Sequence, residues 1–198
     1  MPIYKKNEMN KDCISLMQRR IARGSIGPST LRGMGPKGTI EQTRMYLCKI
    51  DLRDFKTRSG KGFNQVLDHY TSLLKRKLPK GAQHFGSARK ALNIFLRDVN
   101  YNRFLCDHYN LHRLEPWLEL PLDSHVAKGL KLEPEGKELS RWAGVIHLKP
   151  VVNMEYQYVA KKVADCLGMH RVHLDLMYWR GSHISDRRRT KLNGTKTR

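Results

Sequence analysis

The chain has 198 residues, the scale of one domain able to bury a core without disulfide or metal staples. Lys and Arg number 38 against 18 Asp and Glu, a net charge of +20, so the surface calls for a polyanion, with a phosphate backbone first among the candidates. No run of 18 apolar residues exists, and Met1–Gly24 has no leader-type apolar stretch while carrying Glu8 and Asp12; an intracellular, cytoplasmic or nucleoid-associated protein is expected, with no membrane partner.

The elements read as all-α. In chain order, Gly24 to Gly38 is rich in Gly, Pro, Ser and Thr and reads as loop. Thr39 reads as the cap of a helix running to about Ile50. Arg58 to Gly62 reads as a second loop. From Gly62 to Leu78, Phe63, Val66, Leu67, Tyr70, Leu73 and Leu74 recur at helical spacing, with Lys75, Arg76 and Lys77 in the last turn and Pro79 beyond. Ala88, Ala91, Leu92 and Phe95 repeat the period in a helix opening near Gly86 or Ser87. One or two short helices are expected between Tyr101 and Glu119. Tyr156, Val159, Ala160, Val163 and Leu167 mark a further helix, closed by Gly168. Val172, Leu174, Leu176 and Tyr178 alternate like a short strand, or belong to a short helix. Residues 1–180 read as the helical domain and 181–198 as a basic, disordered tail.

Cys13, Cys48, Cys106 and Cys166 stand 35, 58 and 60 residues apart, without a CxxC pair; free thiols are expected, with neither an iron–sulfur cluster nor a metal site. Charge is segregated. Residues 61–97 hold eight Lys or Arg and one acid, Asp68, whereas residues 115–139 hold six acids and three lysines. The helical hairpin of about 62–98 is therefore where phosphate would be met, through Gly86, Ser87, Ala88 and Arg89 at a helix N-terminus and through Lys75, Arg76, Lys77 and Lys80. Leu120-Pro121-Leu122-Asp123-Ser124-His125-Val126 opens a second informative segment, 120–131, in which Asp123 suits an N-cap ahead of Val126 and Leu130.

Phe85-Gly86-Ser87-Ala88-Arg89-Lys90-Ala91-Leu92-Asn93, followed by Leu122-Asp123-Ser124-His125-Val126, resembles the helix-hairpin-helix DNA glycosylases, the superfamily of endonuclease III, in a divergent branch. The family's catalytic lysine falls on Lys90 and its catalytic aspartate on Asp123, 33 residues later. His84-Phe85 replaces the family's Leu-Pro, and Ala88 its second glycine. The resemblance implies a helical glycosylase fold with a DNA cleft, and a monomer acting on double-stranded DNA with one nucleotide flipped out. It also implies DNA N-glycosylase and AP-lyase chemistry in base excision repair. Asp123 would stabilise the positive charge that grows on the sugar as the base leaves, and the Lys90 amine would attack C1′ to form a Schiff base. Burial, or a neighbouring cation such as Arg89, is expected to favour the neutral amine. Phe85, His125, Trp142, Tyr178 and Trp179 are the candidates for stacking on the base. A non-catalytic, basic DNA- or RNA-binding protein is the alternative. A metal-dependent nuclease is a third reading, for which no DxD or ExK cluster is evident.

Overall fold

The computed structural model describes residues 11–179, which form nine α-helices, four short 3-10 turns and no strand. The basic segment 181–198 lies outside the described residues. The helices are α1 Lys11–Ser25, α2 Pro28–Leu31, α3 Thr39–Leu47, α4 Gly60–Lys77 and α5 Phe85–Tyr101. They continue with α6 Arg103–Tyr109, α7 Ser124–Leu132, α8 Pro150–Leu167 and α9 Leu174–Trp179. None of the described helices is long and apolar enough to cross a membrane.

Local signals account for most of the boundaries. The Ser59 hydroxyl accepts the Gly62 amide and starts α4, whose stripe Phe63, Leu67, Tyr70 and Leu74 is buried. Pro150 opens α8, and Gly168, at φ +67°, closes it in the left-handed conformation that favours glycine. Other expectations are corrected. Gly38 is the N-cap of α3, while the Thr39 hydroxyl donates backward to the Pro36 carbonyl, and the helix ends at Leu47 instead of Ile50. The reading of 24–38 as loop gives way to the end of α1 and to α2, started by Pro28. For the alternating 172–178 segment the short-helix alternative holds: a 3-10 turn leads into α9, and the period-2 pattern reflects no sheet.

Two apolar clusters organise the described residues. The first gathers α1 to α6 around Ile14, Ala22, Phe55, Phe63, Leu92 and Phe95. The second gathers the 120–122 segment, α7, α8 and α9 around Leu122, Val126, Leu130, Tyr156, Ala160 and Leu174. Helix α5 belongs to the first cluster, is buried on almost every side, and touches α1, α2, α3, α4, α6 and the 3-10 turn Val145–His147. Arg89 and Asn93 of α5 also donate to Glu119 in the segment that leads into α7, and that meeting positions the site.

Candidate functional site

Lys90 lies in the second turn of α5, and Asp123 is the residue before α7. Both are buried, and Lys90 Nζ stands 3.5 Å from Asp123 Oδ2. Asp123 fills the expected N-cap role: its Oδ1 accepts the His125 and Val126 amides at 3.0 Å each. The cap fixes the carboxylate's orientation and turns Oδ2 toward the lysine. Two residues separated by 33 positions thus converge at the junction of the two clusters.

They share the wall of a cavity of about 330 Å³. Helices α1 and α2 contribute Ser25 and Thr30, α5 contributes Ile94, Arg97 and Asp98, and α9 contributes Asp175. Arg97 binds Asp98 on one side and Asp175 on the other, and the Ser25 hydroxyl donates to Asp98 at 2.6 Å. Burial pushes the Asp175 carboxyl up to about 6; Arg97 works against that rise and the neighbouring Asp123 adds to it. Ile94 and Arg97 follow Lys90 at i+4 and i+7, so continuing the helical period from the lysine would have found them. Asp175 carries no local signal; only the docking of α9 against α7 brings it in.

The charged neighbour expected for Lys90 is elsewhere. Arg89 donates to both oxygens of the buried Glu119 at 2.8 Å, and also to Asp68 and Thr71. Burial pushes Glu119 up, but the hydrogen bonds and charge of Arg89 outweigh it and hold the carboxyl below its usual range. Burial likewise pulls Arg89 down, and Glu119 and Asp68 more than offset this, leaving it raised. The ionisable groups gathered with Lys90 on the cavity wall are Arg97, Asp98, Asp123 and Asp175.

The expected phosphate seat at the start of α5 is also corrected. Gly86, Ser87, Ala88 and Arg89 are buried, because the 145–148 segment lies across the first turn of the helix. A Cβ on Gly86 would sit 1.9 Å from the Val145 carbonyl oxygen, so this glycine serves a close approach within the protein instead of one to a phosphate. Lys75, Arg76, Lys77 and Lys80 are all exposed and remain accessible to an anionic partner.

Of the aromatic candidates, Phe85, His125, Trp142 and Tyr178 do not line the cavity. Phe85, Trp142 and Tyr178 are half-buried and pack on the second cluster. Trp142 lies edge-on to Tyr156 and donates its indole N–H to Ser124, while Tyr178 lies against Gly129. His125 is exposed in the first turn of α7. Trp179 ends α9, and its side chain lies outside the described residues.

A second buried network holds the segment that presents Asp123. Gln157 donates to the Leu120 carbonyl at 2.8 Å and accepts the Leu120 amide at 2.9 Å. Arg171 donates to the carbonyls of Trp117 and Leu118. Among the described residues, no three His, Cys, Asp or Glu side chains are grouped to hold a metal ion. Comparison of the chain with protein-family models, curated proteins and solved structures gives no match.

Proposed function

We propose that the protein is a DNA N-glycosylase with AP-lyase activity, built on a helix-hairpin-helix scaffold in which α4, the 78–84 turn and α5 form the hairpin. The observation that carries this reading is the buried Lys90–Asp123 pair, 3.5 Å apart on the wall of a 330 Å³ cavity. An amine and a carboxylate on one small cavity suit removal of a base from a sugar when it is coupled to strand cleavage. The carboxylate offsets charge that builds on the sugar as the glycosidic bond breaks, and it acts most strongly where water is excluded. The amine captures C1′ covalently, and the resulting Schiff base permits strand cleavage by β-elimination.

Asp123 is suited to the electrostatic role because two backbone amides hold it in place before any substrate arrives. Such preorganisation avoids a reorganisation cost during the reaction. The exposed Lys75, Arg76, Lys77 and Lys80, with the net charge of +20, suit the approach of a duplex whose target nucleotide leaves the stack.

Reduction with borohydride on a duplex holding one abasic site tests the reading. A covalent protein–DNA adduct is expected, lost in Lys90→Ala. Asp123→Asn is expected to keep duplex affinity while excision from a panel of altered-base duplexes falls by at least about 10²-fold. Salt-sensitive binding with no adduct and no excision would instead establish the non-catalytic nucleic-acid-binding alternative.

A further inference from the structure

The cavity holding Lys90 and Asp123 has a second carboxylate on its wall, supplied by α9. Asp175 is 7% exposed, bound through Oδ2 to Arg97, and electrostatically coupled to Asp123, Lys90 and Asp98. Arg97, Asp98 and Lys90 come from α5, and Asp123 from the head of α7; among the described residues these four are the charged groups that act on it. The two carboxylates differ in their ties. Asp123 caps a helix through two amides, whereas Asp175 is held by a side chain. A pair of carboxylates in unlike environments is the usual arrangement for divided roles, one electrostatic and one proton-transferring.

We propose that Asp175 is the proton-transfer partner of Lys90, taking the proton that the ammonium must lose and returning it to the hydroxyl that departs during Schiff-base formation. This rests on the reading of Lys90 as the amine that attacks C1′. The step balances as follows. The Lys90 ammonium gives one proton, relayed by a water in the cavity the two residues line, to the Asp175 carboxylate, leaving a neutral amine and a carboxylic acid. The amine nitrogen forms a bond to the C1′ aldehyde carbon of an abasic site, and the carbonyl oxygen becomes the hydroxyl of a carbinolamine through internal proton transfer. Asp175 then protonates that hydroxyl. The C1′–O bond breaks, water leaves, the nitrogen lone pair forms the iminium bond, and Asp175 is again a carboxylate. A carboxyl raised toward 6 by burial is ionised at neutral pH, yet accepts a proton more readily than an ordinary carboxylate.

The abasic duplex makes the experiment independent of which base is removed. The rate of adduct trapping with cyanoborohydride would be followed from pH 4.5 to 8 at saturating duplex. The wild-type protein is expected to show an inflection near 6, absent in Asp175→Asn, whose plateau rate falls by roughly 10²-fold. Asp175→Glu should keep an inflection. Arg97→Gln should move the inflection upward, because Arg97 holds the carboxyl down; a purely structural role for Asp175 would not produce that displacement. If Asp175→Asn does not fold, the Asp175→Glu and Arg97→Gln profiles decide. Absence of an inflection in the wild type, its persistence in folded Asp175→Asn, or its indifference to Arg97→Gln would overturn the assignment. Trapping abolished by Lys90→Ala, but unaltered in rate and profile by Asp175→Asn, would remove only Asp175 from the mechanism. Undiminished trapping in Lys90→Ala would remove the glycosylase–lyase reading with it.

Discussion

Arg89 and Glu119 form a paired hydrogen bond in the interior, Nε to Oε2 and Nη2 to Oε1, both 2.8 Å long. Arg89 directly precedes Lys90, and Glu119 lies four residues before Asp123, so the bond joins the two chain segments that carry the candidate catalytic groups. Asn93 donates to Glu119 at 3.0 Å from the next turn of α5, tying the same carboxylate to the same helix.

Removing Arg89 leaves the buried Glu119 carboxylate with amide donors such as Asn93 but without its hydrogen-bonded cation. Arg89→Met is therefore expected to lower the unfolding free energy by about 3–5 kcal/mol. Urea denaturation at pH 7 would check it; a loss under 1 kcal/mol would show that the interior tolerates the unpaired carboxylate.

The same pair sets a pH dependence. The folded-state carboxyl of Glu119 is held below its unfolded value, so its stabilisation is fully present above the unfolded value near 4.3. It is lost as pH falls through the folded value. Stability measured from pH 6 downward should decline more steeply in the wild type than in Glu119→Gln.

Asp175 acts with the opposite sign. Its carboxyl is raised from 3.8 to about 6 on folding, so the folded state binds the extra proton between those values. Stability attributable to this group is present below about pH 4 and is lost as pH rises through about 6. A shift of this size corresponds to about 3 kcal/mol. The wild type should therefore lose stability relative to Asp175→Asn across that window in paired denaturation curves, and parallel curves would show no such linkage.

Gly86→Ala tests what the glycine is for. The added Cβ would lie 1.9 Å from the Val145 carbonyl oxygen and 2.7 Å from Leu148 Cβ, so backbone must move. A destabilisation of about 1–3 kcal/mol is expected, with a lowered Tm in the absence of DNA. An unchanged Tm with weakened DNA binding would return the glycine to the phosphate-contact role.

The exposed cations of α4 and its following turn should behave in the reverse manner. Lys75→Ala, Arg76→Ala, Lys77→Ala and Lys80→Ala are each expected to leave the Tm unchanged. Each that contacts a phosphate reduces the slope of log K against log salt by about 0.9. A slope unaltered by all four substitutions would place the duplex on another face.

Local physics made several parts of this protein readable from residue order alone. Helical periodicity marks the buried stripes of α4 and α8, and a carboxylate ahead of an apolar helix marks the Asp123 cap, because both depend on neighbours within a few positions. Ile94 and Arg97 were legible in the same way, as the continuation of the Lys90 face. The partner of Arg89 was not, since Glu119 lies 30 residues away and nothing in their spacing distinguishes it from the other acids of 115–139. Nor could residue order separate a glycine that admits a phosphate from one that admits the Val145 carbonyl, because both need the missing Cβ. Asp175 became part of the cavity only when α9 docked on α7, and its raised carboxyl is a consequence of that burial. Short-range preferences thus decided the helices, their ends and the composition of the basic face. Long-range packing decided which charges meet, because burial and Coulombic contact depend on the folded distance between groups and not on their separation along the chain.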